Sequence, residues 1–205
     1  MVTPSSIILI GAGGSGREIL WICRRAGLAV IGFCDDAPER AAGEVEGVRL
    51  LGSIESAAAR VGAGTGFLIA VGDNRARQRL AGRALAAGWQ PVVAIDPSAV
   101  IAPGAVVDPG AVIGIGSVVS CQARVGGFAL INHHVTVGHD AVVGRFAQLC
   151  PGVRVSGHCT LGEGALLGSN AVILPGKRLG DWSVLGAGAV AVADVAAGAS
   201  VVRVR

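Results

Sequence analysis

From position 95 onward the hydrophobic pattern has a period of six. Sixteen consecutive hexads run to residue 190 without an insertion, and every one begins with Ile, Val or Leu. The fifth position is Ala, Ser, Val or Cys in all of them except at Lys177. A six-residue period matches neither the 3.6 of a helix nor the two of a strand. It is the pattern of a hexapeptide β-helix, in which each hexad forms one flat face and three hexads make a coil. The aliphatic residue should point into a narrow triangular core, with the small residue near the corner and Gly or Asn at the bends. Residues 18 apart should then stack, ~4.8 Å from coil to coil, as parallel strands do. The open ends of such a solenoid need covers. The segment AVADVAAGASVVRVR is placed to supply one of them, and the N-terminal domain the other.

Before position 95 the pattern is different. Residues 7–10, 29–34, 66–72 and 91–95 read as short buried strands. Between them, REILWICRRAG, SIESAAARV and residues 74–88 carry apolar stripes at helical spacing, the last with Leu80, Ala84 and Leu85 inward. Alternating strands and helices imply a small parallel sheet with right-handed crossovers. The expected architecture is therefore an α/β, Rossmann-like domain over residues 1–94, followed by an all-β parallel β-helix with a C-terminal cap over 95–205.

Composition supports layered β structure. Half of the chain is apolar, yet it has 33 Gly, four Phe, three Trp and no Tyr, so the core is built from small branched units. The net charge of +3 is spread out, with no basic run or aromatic ladder to suggest nucleic acid. Five cysteines without CxxC spacing read as free thiols in a reducing, cytoplasmic setting. The start MVTPSSIILIGAGG lacks the features of a signal peptide, and no apolar run is long enough to predict a membrane span.

Gly11, Gly13 and Gly16 satisfy G-x-G-x-x-G between the first strand and the first helix, and Asp35 lies 19 residues beyond Gly16. Such glycines let backbone approach a phosphate at a helix N-terminus, and an acid after the second strand can accept from a ribose hydroxyl or a base N–H. The domain is short for a dinucleotide fold, which favours a mononucleotide ligand.

Three of the chain's four histidines fall within INHHVTVGHDAVVG, residues 131–144. They can be zinc ligands, surface residues or a general base. Zinc with an open position needs three imidazoles. His134 and His139 have a five-residue separation that suits this, but no histidine precedes His133. His133 and His134 read as outward-facing, and His158 should stack one coil beyond Asp140.

The hexads resemble the left-handed β-helix acyltransferases, which mostly use acetyl-CoA or an acyl carrier and are trimers with active sites between subunits. GAGGSG, Asp35-Asp36, IAVGDNRARQR, GHDAVVGRF, LLGSNAVILPG and LGAGAV, in that order, narrow the resemblance. They resemble nucleotide-sugar acetyltransferases, a group including the N-acetyltransferases of bacillosamine and perosamine pathways and sialic acid O-acetyltransferase-like proteins. The resemblance implies that His139 is the catalytic base, assisted by Asp140, and that Asn132 lies near the acceptor sugar. It implies that Gly13, Gly14, Ser15, Asp35, Asp36 and Gly72 hold the nucleotide sugar. Gln148, Gly168, Ser169, Gly186 and Ala187 would line the acetyl-CoA groove. No metal is implied.

Four positions depart from the family pattern. Ser15 and Gln148 stand where many relatives have His. Lys177 breaks the small-residue rule and is expected to turn outward beside Arg178, where both could meet CoA phosphates. The tail ends VVRVR without the usual G-x-P-A. The expected activity is acetyl transfer from acetyl-CoA to the amine of a nucleotide-linked 4-amino-4,6-dideoxy sugar by a homotrimer. O-acetylation of a sialic acid-type sugar is the near alternative. An NAD-binding oxidoreductase and a non-catalytic scaffold are the distant ones.

Overall fold

The run IILI forms most of strand β1 (Ser6–Ile10), and Ile7 to Ile10 are buried, as expected for a parallel strand covered on both faces. The computed structural model describes residues 6–40 and 42–202 and separates the chain into two units, Met1–Ala94 and Ile95–Arg205. In the first unit, β1 is followed by α1 (Gly14–Arg25), β2 (Ala29–Cys34), a short antiparallel pair β3 (Glu44–Val45) and β4 (Val48–Arg49), α2 (Ile54–Val61), β5 (Gly66–Ile69), α3 (Asn74–Ala86) and β6 (Gln90–Pro91). The main sheet is parallel with order β2-β1-β5-β6. The chain leaves β1 to one side and later returns to the other. The crevice beyond the carboxyl ends of β1 and β5 is therefore a topological switch point, where open α/β sheets bind ligands.

Two sequence expectations for this unit are corrected. The inward stripe of α3 is Asn74, Arg77, Ala81 and Ala84, while Leu85 is exposed and Leu80 half-buried. The arginine is accepted inside because backbone carbonyls solvate it, as described below. The run 91–95 is not one strand. Gln90–Pro91 closes the first sheet, and Ala94–Ile95 pairs within the second unit. The β3–β4 pair was not anticipated from the sequence.

The second unit is the expected parallel β-helix, with the left-handed architecture of the resembled fold. Two-residue strands stack in three sheets of seven, six and five strands. Their register is 18 residues, as in Val112↔Leu130, Leu130↔Gln148 and Gln148↔Leu166. First-position aliphatics (Ile113, Val119, Val125, Ile131, Val137) and fifth-position small residues (Ala123, Ala129, Val135, Ala141) fill the core together. Ser117, in the same small-residue column, is also buried, and its hydroxyl donates to the Asn132 carbonyl while accepting from Val135 N–H. Lys177 is half-buried rather than turned fully outward.

The corners require left-handed backbone. Non-glycine residues with φ near +57° include Gln122, Phe128, His134, Asp140, Phe146, His158, Asn170 and Trp182. The edge between the five- and seven-stranded sheets is packed with rings. Phe128 lies over Gly110, Phe146 stacks on Phe128 at 5.2 Å, and Trp182 lies over Gly164. The last coil is tighter than the rest. Val195 bridges Leu179, and Ser200–Val201 pairs with Val184–Leu185, a register of 16 rather than 18. Residues 203–205 of the expected cap lie outside the described residues. No helix among the described residues is long and apolar enough to cross a membrane.

Candidate functional site

Two sites arise, one in each unit. In the first, the glycine-rich turn joins β1 to α1. Gly11 has φ +107°, and a Cβ on Gly16 would sit 2.3 Å from the Gly11 carbonyl oxygen. The turn therefore needs glycine at both places, once for backbone angle and once for close approach. Gly13 is the N-cap of α1 and supplies no side-chain cap, so the first N–H groups of the helix, at Gly14, Ser15 and Gly16, have no side-chain acceptor at the cap. Ser15 is half-buried and Gly14 exposed beside them.

Asp35 ties this turn down. Its carboxylate accepts from Ala12 N–H (2.8 Å), Ala37 N–H (3.0 Å) and the Arg40 guanidinium (3.0 Å). Burial pushes the Asp35 pKa up, but the hydrogen bonds from Ala12, Ala37 and Arg40 outweigh it and hold the group below the usual carboxylate range. Asp36 is paired with Arg83 of α3, which also grips Glu55 of α2. The Arg83 hydrogen bond, first, lowers Glu55 to about 2. Asp35 and Asp36 line two neighbouring depressions. One, of about 140 Å³, is walled by Ile10, Gly11, Cys34, Ile54, Val71 and Leu80. The other, of about 280 Å³, adds Leu51, Ser53, Ser56 and Arg60.

The far lip is the turn Val71-Gly72. Arg77, fully buried, donates to the carbonyls of Val71 (2.9 Å) and Gly72 (3.3 Å) and to Asn74 Oδ1 (2.8 Å). Burial pushes its pKa down to about 10, so it stays charged at neutral pH. Arg77 was not identified from the sequence. The available signal is its place three residues after Asn74, four before Ala81 and seven before Ala84, on one helical stripe.

These carboxylates give the first unit an acid sensitivity. A depressed folded pKa contributes stability above the unfolded value, which is lost as pH falls through the folded one. For Glu55 that window runs from about 4.5 down to about 2, although its exposure keeps its share small. Asp35 acts in the same direction. Melting curves between pH 6 and pH 2.5 should show the first unit losing stability on acidification. Asp35→Asn should lower its melting temperature at pH 7 and flatten that loss.

In the β-helix, His139 and Asp140 occupy the turn between Thr136–Val137 and Val142–Val143, at the edge joining the six- and five-stranded sheets. His139 Nδ1 lies 2.9 Å from Asp140 Oδ2. The His139 side chain is 59% exposed, so it faces outward from the apolar core. A Cβ on Gly157, one coil further, would lie 2.5 Å from His139 Nε2, so only glycine leaves the ring this position. His158 stacks beyond Asp140, its Nε2 3.8 Å from the same carboxylate oxygen and its ring 5.0 Å from that of His139. His139, Asp140 and His158 offer ligand atoms within 4.8 Å of one another, but all three are exposed, and exposed groups of this kind are common without an ion. His134 is not with them. It lies at another edge, its ring over Gly116. The pairing of His134 with His139 considered for zinc therefore does not form within one chain.

Asn132, Gly168 and Gly186 form one column with Cys150 at the edge between the seven- and six-stranded sheets. Ser169 and Ala187 are exposed beside it. Gln148 lies on the adjoining strand, its amide 3.8 Å from Cys150 Sγ. A Cβ on Gly168 would meet Ala187 N at 2.5 Å. Within one chain, then, this column and His139 stand on different edges of the prism.

Lys177 and Arg178 are not with the column. Lys177 is half-buried, and Arg178 is exposed, with its backbone N–H donating to Asp194. All five cysteines are free, and burial raises Cys23 and Cys34 to about 12, which makes them inert.

Residues 6–84 match the family model described as the PglD N-terminal domain. No curated protein sequence matches the chain. Among solved structures, perosamine N-acetyltransferase (PerB) from Caulobacter crescentus, in complex with CoA and GDP-perosamine, is 30% identical with a TM-score of 0.86, over 94% of this chain and 91% of that one. The acetyltransferase domain of PglB from Neisseria gonorrhoeae, in complex with acetyl coenzyme A, is 28% identical with a TM-score of 0.76, over 97% and 96%. WeeI from Acinetobacter baumannii shares the fold, with a TM-score of 0.87 at 23% identity over 96% of each chain. An identity of 30% sustained over nearly the whole length of both chains covers the glycine-rich unit and the β-helix alike, and with it the chain belongs to the acetyl-CoA-dependent sugar acetyltransferases of the hexapeptide-repeat family.

Proposed function

We propose that the protein transfers the acetyl group of acetyl-CoA to the amine of a nucleotide-linked 4-amino-4,6-dideoxy sugar, with His139 as general base. The observation that carries this reading is the exposed His139–Asp140 pair, on a chain whose relative is seen with CoA and GDP-perosamine. A carboxylate facing Nδ1 can only accept, so the ring proton belongs on Nδ1 and Nε2 keeps its lone pair. A sugar amine is largely protonated near neutral pH and must lose a proton before it attacks a thioester. Nε2 takes that proton, a contribution of ~10²–10⁴-fold. The amine nitrogen then bonds to the acetyl carbon, the tetrahedral intermediate collapses with cleavage of the carbon–sulfur bond, and the nitrogen's surplus proton passes to the departing thiolate, which leaves as the CoA thiol.

The nucleotide would dock between the GAGGSG turn and Asp35-Asp36, its phosphates at the N-terminus of α1 and its base in the pocket walled by Ile54, Val71 and Leu80. CoA would run along the Gly168–Ser169 and Gly186–Ala187 column, with Gln148 and Asn132 at its flank. That column and His139 lie on different edges of one prism, which supports a homotrimer with each site shared by two protomers. The enzyme would work in the cytoplasm, where acetyl-CoA and nucleotide sugars are available. Metal has no step in this chemistry.

A thiol-release assay with acetyl-CoA and GDP-, UDP- and dTDP-linked 4-amino sugars tests the reading. One of them should give a product heavier by one acetyl group and resistant to hydroxylamine. Transfer only to sugar hydroxyls, giving a hydroxylamine-labile ester, would overturn N-acetylation in favour of O-acetylation.

A further inference from the structure

The ring of His139 has little to hold it. It projects from a corner, 59% exposed, and the residue beneath it on the next coil is Gly157, which has no side chain. Rotation about its side-chain bonds would carry Nε2 away from an approaching amine. The Nδ1–Asp140 hydrogen bond restrains one end of the ring, but Asp140 is itself 44% exposed.

His158 meets both weaknesses. Its ring lies against that of His139 with centroids 5.0 Å apart and planes at 87°, the edge-to-face arrangement that aromatic quadrupoles favour. Its Nε2 is 3.8 Å from Asp140 Oδ2, the oxygen that His139 Nδ1 engages. Its backbone is fixed in the left-handed region at φ +58°, and its N–H donates to the His139 carbonyl at 2.9 Å. The backbone bond sets where the second imidazole stands relative to the first.

We propose that His158 is a positioning residue for acetyl transfer: its ring walls in the His139 imidazole, and its Nε2 edge borders the Asp140 oxygen that engages Nδ1. This rests on His139 being the base. His158 need not touch either substrate. Its contribution is to keep Nε2 aimed, and small misplacements of a reacting group are costly in rate.

Two variants separate the roles without threatening the fold. His158→Asn removes the ring but suits left-handed backbone, as Asn170 does at an equivalent corner. His158→Phe restores a ring without the nitrogen, and Phe128 and Phe146 already occupy such corners. With acetyl-CoA and GDP-perosamine as probes, His158→Asn should lower kcat about 5- to 20-fold while both KM values stay within about twofold. His158→Phe should recover part of that loss. Long-range proton–nitrogen spectra of the substrate-free protein should show His139 as the Nδ1–H tautomer in the wild type and as a mixture in His158→Asn. Unchanged kcat and unchanged spectra in His158→Asn would overturn the proposal, as would a Phe variant no better than the Asn one. A wild type that transfers nothing to any amino sugar would instead overturn the proposed function, and the spectra would still decide the placement of His139.

Discussion

Replacing His139 with alanine should lower kcat by ~10²–10⁴-fold, the range that general-base catalysis commonly supplies. The KM for acetyl-CoA should hardly move, because the proposed donor groove along Gly168–Ala187 stands on another edge of the prism. The fold should also survive. The His139 side chain is exposed, and its only side-chain hydrogen bond among those described is to Asp140 Oδ2. The core beneath it is made by Val137, Ala141 and Val143, which the substitution leaves alone. Steady-state kinetics with the accepted amino sugar, together with sizing of the oligomer, check both parts. Full activity in the variant would remove His139 from the chemistry. Asp140→Asn should cost less, since an amide oxygen can still accept from Nδ1–H but no longer stabilises the imidazolium that forms.

The second large effect lies in the other unit and is one of stability. Arg77→Met should destabilise the first unit by about 2–5 kcal/mol. The substitution leaves the Val71 and Gly72 carbonyls and Asn74 Oδ1 without their guanidinium donor inside the protein, at ~1–3 kcal/mol for each group left unsatisfied. Part of that is returned, because a charge no longer has to be buried. For a unit of this length, each kcal/mol displaces the melting temperature by ~4–8 °C, so a drop of roughly 8–40 °C is expected. Calorimetry should show it confined to the transition of the first unit, with that of the β-helix in place. The Val71-Gly72 turn borders the proposed nucleotide pocket, so the KM for the nucleotide sugar should rise as well. An unchanged melting temperature would mean that the carbonyls find other donors.

The β-helix was legible down to individual residues because its register is over-determined. A slip of one position would carry Gln148, Arg154 or Arg178 from the solvent side of its strand into a core that is entirely small or aliphatic. Stacking at 18 residues by itself also places His158 beyond Asp140, as the structure does. The first unit was less legible. In α3, four arginines compete with Leu80 and Leu85 for attention, and hydrophobicity alone puts the leucines inside. What decides the matter is a set of backbone carbonyls at the end of β5 that solvate Arg77, and no side-chain pattern announces carbonyls. Asp35 shows the same limit. The spacing from the glycine-rich turn marks it as a ligand-facing acid, yet three donors of the chain itself already bind it. Lys177 stands in the column of Ala141 and Cys159 and is half-buried rather than fully outward.

The proposed sharing of each site between protomers can be tested by complementation. His139→Ala removes the proposed base from one edge, and Ser169→Trp, at an exposed position, would block the proposed CoA column on another. Each variant alone should be inactive, as should a chain carrying both. Co-assembled in equal amounts, the two single variants should recover about a quarter of wild-type activity, because random pairing gives that share of interfaces one intact base and one intact donor groove. Mixed oligomers that remain as inactive as their parents would show that base and donor act within one chain, and would contradict the shared site.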